Sequence, residues 1–349
     1  LEAGVAGKLK TTTKIIYGSG DSGFSFTSTI LGAYFAIFLT DVVGLSPGIA
    51  AAAVFIGRSW DYVNDPLIGY LSDKTRSKYG RRRPYLLYGA LPFAITFAML
   101  WWTPPFAAQF LLAAYYAAAY FLFDTAATFV YMPYFALTPE LASGYDERTT
   151  LTSYRMFFSI FAGLLAFVIP LAIIGSFRPE NAGRVFAMGI LFAVASAAPL
   201  LLVFLKTEER SEFQTQEKPA LKESLKAVFK NRPFLFGLGI YLFTWVAMDI
   251  MQVTLLYYLK YNLLREFQSD LILATIFVSA IASLPLWTKL SKRYGKRIAY
   301  IGGVAFWGIV QCIIVTFQPQ TPLAVILAIC VLAGVGVGAA HVLPWSIIP

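Results

Sequence analysis

Long apolar stretches alternate with short polar or Pro/Gly-marked breaks along almost the whole chain. Ten of these stretches approach the ~20 residues that an α-helix needs to cross the hydrocarbon core of a bilayer. Their approximate limits are residues 15–39, 48–71, 84–103, 107–136, 151–175, 185–205, 234–261, 270–288, 298–317 and 322–346. The pattern therefore predicts an all-α integral membrane protein.

The overall composition supports the same conclusion. Hydrophobic residues make up 58% of the chain, charged residues 13%, and the mean hydropathy is +0.65. A soluble domain cannot bury that much apolar surface. We therefore expect a multi-pass protein of the cell membrane, either a bacterial inner membrane or a plasma membrane, in contact with lipids.

The basic residues are concentrated in alternate loops. About 22 of the 28 Lys and Arg lie in the N-terminal lead and in the loops after the second, fourth, sixth and eighth stretches. The positive-inside rule then places the N-terminus and the long polar segment 206–232 in the cytoplasm. The net charge of +9 reflects membrane orientation, so it gives no reason to expect a nucleic-acid partner.

An internal echo indicates two related halves. A basic loop built on Tyr79-Gly80 follows the second stretch, and a similar loop built on Tyr294-Gly295 follows the eighth. Equivalent loops at equivalent places are typical of a duplicated transporter. We expect an N-terminal bundle at 1–205, a cytoplasmic central loop at 206–232 and a C-terminal bundle at 233–349.

The second stretch contains two acidic residues four positions apart, Asp61 and Asp65. In one continuous helix they would share a face with Arg58, and Pro66 would leave a backbone carbonyl free one turn earlier. Charges at the bilayer centre cost ~2.5–3.5 kcal/mol each on insertion scales, so they indicate function. The residues predict an oxygen-rich site for a hard monovalent cation. A structural cluster neutralised by Arg58, or a pair sharing one proton, are the alternatives.

Other polar residues could line a solute cavity. Asp21 lies among small residues early in the first stretch, where it could bind sugar hydroxyls or extend to the membrane surface as a helix-end charge. Asp124, Thr128, Tyr131 and Phe135 follow at i, i+4, i+7 and i+11, which predicts one face of a helix. That face could be a cavity wall, or the aromatic rings could simply pack.

Arg155 opens the fifth stretch. Its guanidinium could pair with Asp21 or Asp124, bind an anionic group of a solute, or face lipid headgroups. Asp249 and Gln252 in the seventh stretch form a further polar patch, equally consistent with a cavity or with helix packing.

Several ordered motifs resemble a known family. The loop Gly69-x-x-x-Asp73 followed by Gly80-Arg81-Arg82-Arg83 resembles the signature loop of the major facilitator superfamily. Further motifs are Asp61-x-x-Asn64-Asp65-Pro66, Tyr17-Gly18-x-Gly20-Asp21, Thr40-Asp41-Val42-x-Gly44-Leu45, Pro133-Tyr134-x-Ala136-Leu137 and Asp146-Glu147-Arg148-Thr149. Together they are similar to the glycoside-pentoside-hexuronide:cation symporter family, which includes the melibiose permease.

The resemblance implies a fold of two pseudo-symmetric six-helix bundles, with about ten of twelve helices covered here. It also implies alternating access and site roles. The implied cation ligands for Na⁺, Li⁺ or H⁺ are Asp61, Asn64, Asp65 and Thr128. The implied sugar-binding aspartate is Asp21, Arg155 lines the solute site, and Trp345 lies near the pore. Gly69, Asp73, Gly80, Arg81 and Arg82 form the signature loop.

Two positions depart from the melibiose permease. Tyr131 stands where its second sugar-binding aspartate falls, and Phe135 stands where its stacking tryptophan falls. Losing a carboxylate that binds hydroxyls weakens hexose recognition, because charge-assisted hydrogen bonds contribute ~1–3 kcal/mol each. A different glycoside, a uronate or a less polar solute is therefore consistent with the sequence.

Three functions agree with these residues to different degrees. The first is cation-coupled symport of a sugar, glycoside or related small polar solute, without a cofactor and by a monomer. The second is sodium-dependent carriage of lysophospholipids, which animal relatives of the family perform. The third is an intramembrane prenyltransferase, which would need a second acidic cluster that the apolar stretches lack. The sequence favours the symporter and indicates that the chain is not an enzyme.

Overall fold

The computed structural model describes residues 9–142, 145–209 and 231–347, and in these ranges the chain forms twelve α-helices. It divides into two compact units, one of Leu1–Leu31 with Phe35–Lys218 and one of Gly32–Tyr34 with Pro219–Pro349. Most of the predicted central loop, residues 210–230, lies outside the described residues.

The first unit contains eight of these helices. They are α1 (Thr11–Ile30), α2 (Pro47–Arg58), α3 (Asp61–Lys74), α4 (Arg83–Leu100), α5 (Gln109–Ala136), α6 (Thr138–Leu141), α7 (Tyr145–Ile174) and α8 (Ala182–Lys206). Two π-helical turns, Leu31–Phe35 and Phe38–Val42, extend α1, and a 3₁₀ turn at Pro179–Asn181 precedes α8. The helix α1 packs against α7 and α8, while α2 and α3 both pack against α5.

Four α-helices form the described part of the second unit. They are α9 (Arg232–Tyr257), α10 (Ser269–Tyr294), α11 (Lys296–Ile314) and α12 (Leu323–Ile347). A π-helical turn, Tyr258–Asn262, extends α9, and a 3₁₀ turn at Glu266–Gln268 precedes α10. The helix α12 packs against α10 and α11. Gly334 and Gly338 allow close approach, because a methyl group on either would collide with a serine hydroxyl of α10.

Seven helices among the described residues are long and apolar enough to cross a membrane. They are 109–141, 150–174, 179–206, 235–262, 266–291, 296–314 and 323–341. The other three predicted spans correspond to α1, the α2–α3 pair and α4. The second predicted span is interrupted, since α2 and α3 contain only 12 and 14 residues and are separated by a turn at Ser59 and Trp60.

The ends of α1 and α9 have the same backbone geometry, 220 positions apart in the chain. The N–H groups of Val43 and Leu45 donate to the carbonyls of Phe38 and Leu39 at 3.0 and 2.9 Å. In the second unit, Leu263 and Arg265 donate to Tyr258 and Leu259 at 3.0 and 2.8 Å. The residues at the turn have positive φ in both places, namely Gly44 at 82° and Leu264 at 55°. This repeated geometry is what a duplicated fold predicts.

The predicted basic loop built on Tyr294-Gly295 is shorter than expected. The helix α10 continues to Tyr294 and α11 begins at Lys296, so only Gly295 connects them. Its φ of 87° is accessible to glycine at little cost, which permits the abrupt turn.

An aromatic cluster fills the core of the first unit at one end. Trp101 is fully buried, and its ring lies edge-on to Phe35 and tilted against Phe38 at centroid distances of 5.6 and 5.3 Å. Gly189 of α8 makes room for the indole, because a Cβ there would lie 2.7 Å from the Cβ of Trp101. This packing joins the ends of α1 and α4 to α8.

Candidate cation and solute sites

The interruption between α2 and α3 positions the acidic pair. The Ser59 N–H donates to the Phe55 carbonyl at 2.9 Å, which closes α2, and the Asn64 N–H donates to the Trp60 carbonyl at 2.9 Å, which opens α3. Asp61 therefore occupies the first turn of α3, where the helix dipole favours a carboxylate. The last carbonyls of α2 lose their helical partners nearby, and Pro66 frees one more in α3.

This break changes the position of Arg58 in the chain's helices. The spacing predicts that Arg58 shares a continuous helix face with Asp61 and Asp65, but Arg58 is the last residue of α2 and is exposed. Ser59 and Trp60 keep right-handed helical φ and ψ angles. Arg58 interacts electrostatically with Asp124, so it stays near the acidic residues across the break.

A hydroxyl of α5 joins the two carboxylates. Thr128 Oγ1 lies 3.0 Å from Asp65 Oδ1 and 3.5 Å from Asp61 Oδ1. Both aspartates are half-buried, and Thr128 is buried. The arrangement presents several oxygen atoms within one small volume, which suits a hard monovalent cation.

Two further contacts fix α3 against α5. Asn64 is 1% exposed, and its Nδ2 donates to the backbone carbonyl of Asp124 at 3.3 Å. The Trp60 indole N–H donates to Thr125 Oγ1 at 3.1 Å. Asn64 thus lies beside the acidic pair, but in this structure its amide holds the helices together.

Asp124 lies on α5 one turn before Thr128 and is buried. Its carboxylate interacts electrostatically with Asp61, Asp65 and Arg58. Among the described residues, no three His, Cys, Asp or Glu side chains are close enough to hold a metal ion together. Asp124 thus lies near Asp61 and Asp65, whereas the Thr128 hydroxyl contacts those two carboxylates.

Asp21 and Arg155 form a second polar cluster in the same unit. Arg155 Nη2 lies 3.5 Å from Asp21 Oδ1, and their side chains are 14% and 3% exposed. Asp21 is therefore buried between helices and does not extend to the membrane surface. Of the two partners open to Arg155 from the sequence, the structure places Asp21 beside it.

A frame of hydroxyl groups holds this pair. Arg155 Nη1 donates to Thr138 Oγ1 at 3.3 Å, and the Tyr17 hydroxyl lies 2.6 Å from the same oxygen. Tyr17 and Tyr134 stack at 4.9 Å, and each hydroxyl donates to the other's backbone carbonyl at 3.0 and 2.6 Å. The frame fixes α1 to α5 and α7 around Arg155. Sequence reasoning misses Tyr134 and Thr138 as parts of this frame, although Pro133-Tyr134 stands out as a motif.

The predicted aromatic face of α5 borders the same cluster. Phe24 of α1 lies edge-on to Tyr131 and Phe135 at 5.2 and 5.5 Å. The Arg155 guanidinium lies 4.6 Å from the Phe135 ring centroid. Among the described residues, the buried Tyr131 hydroxyl and Arg155 Nε have no hydrogen-bond partner. Unpaired buried donors of this kind are what a polar solute would satisfy.

The signature loop forms an ionic cluster at one end of the first unit. Arg81 and Arg82 both donate to the Glu140 carboxylate, the second at 2.6 Å, and Arg82 also bonds Asp73 at 2.6 Å. Both arginines and Glu140 are buried. Glu140 therefore neutralises arginines of its own unit.

Glu209 completes this end of the unit. Its carboxylate accepts the backbone N–H groups of Arg81, Arg82 and Arg83 at 2.6, 2.8 and 2.8 Å, where α4 begins. Gly80 has a φ of 103°, and a Cβ there would lie 2.6 Å from the Glu209 carboxyl carbon. Gly69 of the same motif has open space around it. The sequence alone does not reveal Glu209, since only proximity in the fold identifies it.

The remaining predicted residues lie in the second unit. Asp249 and Gln252 are on α9, and Trp245 of the same helix lies 5.6 Å from the ring of His341 on α12. Trp345 lies near the end of α12, and its side chain is outside the part of the chain that the structure describes.

The helical fold and the buried charges together define a multi-pass membrane transporter. The chain belongs to the family described as MFS/sugar transport protein, which matches residues 16–349. This match confirms the resemblance that the motifs indicated and the fold of the major facilitator superfamily. The chain is accordingly a transporter and not an enzyme.

Three curated relatives are similar along nearly the whole chain. The uncharacterized symporter sll1374 of Synechocystis sp. is 30% identical over 99% of this chain and 78% of its own length. The sodium-dependent lysophosphatidylcholine symporter 1-A of Danio rerio is 29% identical, with 98% and 70% covered. YagG of Escherichia coli, named as a glycoside/cation symporter, is 31% identical, with 93% and 70% covered.

Solved structures support the same fold. The xylose transporter XylE from Escherichia coli in an inward open conformation has a TM-score of 0.69 at 16% identity, covering 96% of this chain and 82% of that one. The nucleoside transporter NupG has a TM-score of 0.63 at 17% identity, covering 96% of this chain and 80% of that one.

Proposed function

We propose that the protein is a cation-coupled symporter that moves a sugar, a glycoside or a related small polar solute by alternating access. The observation that carries this proposal is the Asp61, Asp65 and Thr128 cluster, in which one hydroxyl lies 3.0 and 3.5 Å from two carboxylates at a helix break. Discontinuous helices with carbonyls and carboxylates at their ends are the usual cation sites of secondary transporters. Na⁺ is the coupling ion in this account, with Li⁺ and H⁺ as the other ions that the cluster could accept.

The solute side of the proposal rests on the Asp21–Arg155 cluster. It combines a buried ion pair, two unpaired hydrogen-bond donors and the aromatic wall of Phe24, Tyr131 and Phe135. Aromatic rings stack on the apolar faces of sugars while charged groups bind hydroxyls, so the mixture suits a polar ring-shaped solute. The N-terminus and the signature-loop cluster face the cytoplasm in this account.

Both sites share the helix α5, which suggests a route for coupling. Thr128 contacts the cation pair, and Tyr131 and Phe135 border the solute cluster three and seven residues later. A cation that pulls Asp65 and Thr128 together would stabilise one position of this helix. Any such effect must be reciprocal, so the solute would raise cation affinity by the same factor.

A second candidate is sodium-dependent transport of a lysophospholipid. The relative from Danio rerio is named for that activity, and the aromatic wall beside Arg155 could accept an acyl chain next to a charged headgroup. The unpaired Tyr131 hydroxyl favours the polar solute, because an acyl chain against the aromatic wall would leave it unsatisfied.

Uptake into proteoliposomes tests the proposal. Purified protein is reconstituted, an inward Na⁺, Li⁺ or H⁺ gradient is imposed, and uptake of labelled glycosides, pentosides, uronates and lysophospholipids is measured. We expect Na⁺-driven accumulation of a glycoside or related solute, which Asp61→Asn and Asp65→Asn abolish. The matched control is Asp270→Asn, which neutralises an exposed acid at the start of α10.

Two outcomes would count against the proposal. Accumulation that is independent of every cation gradient would remove the coupling role of Asp61 and Asp65. Accumulation of lysophospholipid with no uptake of any sugar or uronate would favour the second candidate.

A further inference from the structure

Asp124 lies on the face of α5 that packs against the cation pair. It precedes Thr128 by one turn, and its backbone carbonyl accepts the Asn64 amide at 3.3 Å. Residues four apart on a helix share a face, so Asp124 and Thr128 both point toward α3. The residue is 9% exposed, and its Oδ2 has no hydrogen-bond partner among the described residues.

An unpartnered carboxylate oxygen is costly in such a place. Burying an ionised group without compensation is among the most unfavourable events in a protein, and a bound cation is one way to compensate it. The charges that interact with Asp124 are those of Asp61, Asp65 and Arg58. Among these groups, three carboxyl groups share the single guanidinium of Arg58 before any cation binds.

The solute cluster is too far along the helix to supply that compensation. Tyr131 and Phe135 follow Asp124 by seven and eleven residues, which is about 10 and 16 Å along an α-helix at its standard rise. Arg155, the basic residue of that cluster, contacts Asp21, Thr138 and the Phe135 ring. Asp124 is therefore separated from the residues with which the sequence grouped it as part of the cavity wall.

We infer that Asp124 is a third acidic residue of the cation site and acts by raising the affinity of the Asp61, Asp65 and Thr128 cluster for a monovalent cation. It attracts the ion electrostatically from just outside the group that contacts the ion, and it does not bind the solute. The inference rests on the proposed function and adds a residue that sets how tightly the ion is held.

Equilibrium binding of ²²Na⁺ to the purified full-length protein tests this inference. Asp124→Asn keeps the size of the side chain and removes its charge, so the Na⁺ Kd should rise about tenfold, which corresponds to ~1.4 kcal/mol. Affinity for the solute identified in the uptake panel, measured at saturating Na⁺, should stay within about threefold. Asp21→Asn should show the opposite pattern, with weakened solute binding and little change in Na⁺ affinity.

Two more variants separate charge from structure. Asp124→Ser is a second neutral variant, and the same loss of Na⁺ affinity is expected. Asp124→Glu keeps the charge and should hold the Na⁺ Kd within about threefold of wild type. A purely structural side chain would be disturbed by the longer Glu at least as much as by Asn.

The results distinguish this inference from the proposed function. The inference would be overturned if the neutral Asp124 variants kept their Na⁺ affinity or lost solute binding at saturating Na⁺. The proposed function would still stand in that case, provided that Asp61→Asn abolished ion binding. If the wild-type protein bound none of Na⁺, Li⁺ and H⁺, the proposed function itself would fail.

Discussion

Neutralising one member of the Asp21–Arg155 pair should destabilise the protein more than neutralising both. The two side chains are 3% and 14% exposed, so solvent screens them weakly. Removing one partner of a buried pair leaves an uncompensated charge and typically costs 3–5 kcal/mol. The 3.5 Å separation is long for a salt bridge, and we therefore expect the lower end, about 3 kcal/mol.

This loss of stability can be measured as a fall in the melting temperature, Tm. A change of 1 kcal/mol shifts the Tm of a unit of 150–250 residues by about 2–4 °C, so Asp21→Asn or Arg155→Gln should lower it by about 6–12 °C. The double variant should recover at least half of that loss, because no unpaired charge remains. The assay is thermal denaturation of the purified protein in detergent. The folded fraction left after heating to each temperature is measured by size-exclusion chromatography.

The matched control is Asp270→Asn, which neutralises an exposed acid at the start of α10. Solvent screens this charge, so we expect a change of about 1 kcal/mol or less. Single variants of Asp21 and Arg155 that melt like wild type, or a double variant that loses the full sum, would refute the reasoning.

Three further changes have defined outcomes. Gly80→Ala should lower stability by about 1–3 kcal/mol, because its positive φ is strained for alanine and the new Cβ meets the Glu209 carboxylate. Leu264→Gly should raise the free energy of unfolding by up to about 1 kcal/mol, and so raise the Tm slightly, because leucine is strained in the left-handed backbone conformation found there. Thr128→Val removes the hydroxyl beside Asp65 and should raise the Na⁺ Kd at least tenfold, about 1.5–3 kcal/mol. Thermal denaturation measures the first two, and ²²Na⁺ binding measures the third.

The glycine and threonine variants each have a control in the same chain. Gly69→Ala introduces a methyl group into open space within a helix and should not lower the Tm. Thr96→Val removes a hydroxyl that bonds only its own helix and should leave Na⁺ affinity unchanged. A stable Gly80→Ala protein, a lower Tm for Leu264→Gly, or unchanged Na⁺ binding in Thr128→Val would contradict the corresponding prediction.

The acidic pair could be found from the sequence because charge is expensive within an apolar stretch. Asp61 and Asp65 stand out for that reason, and the position of Thr128 followed from the family resemblance. The break at Ser59 and Trp60 could not be found in this way, because neither residue is a strong helix breaker. Its position depends on tertiary contacts such as the Trp60 indole on Thr125.

The partners of the other charges depended on contacts between distant helices. The sequence left Arg155 open to Asp21 or Asp124, and packing of α1 against α7 decides for Asp21. Glu209 is more than a hundred residues from the loop that it caps, so no local pattern reveals it. The duplication was visible in Tyr79-Gly80 and Tyr294-Gly295, and both glycines have positive φ.

The most direct test of the account measures ion movement driven by the solute. Proteoliposomes with equal Na⁺ on both sides, traced with ²²Na⁺, receive an inward gradient of the solute identified in the uptake panel. If cation and solute move together, ²²Na⁺ accumulates transiently inside wild-type vesicles and does not accumulate with Asp65→Asn. Entry of the solute into wild-type vesicles without accumulation of ²²Na⁺, or of an equivalent Li⁺ or proton signal, would contradict coupled transport.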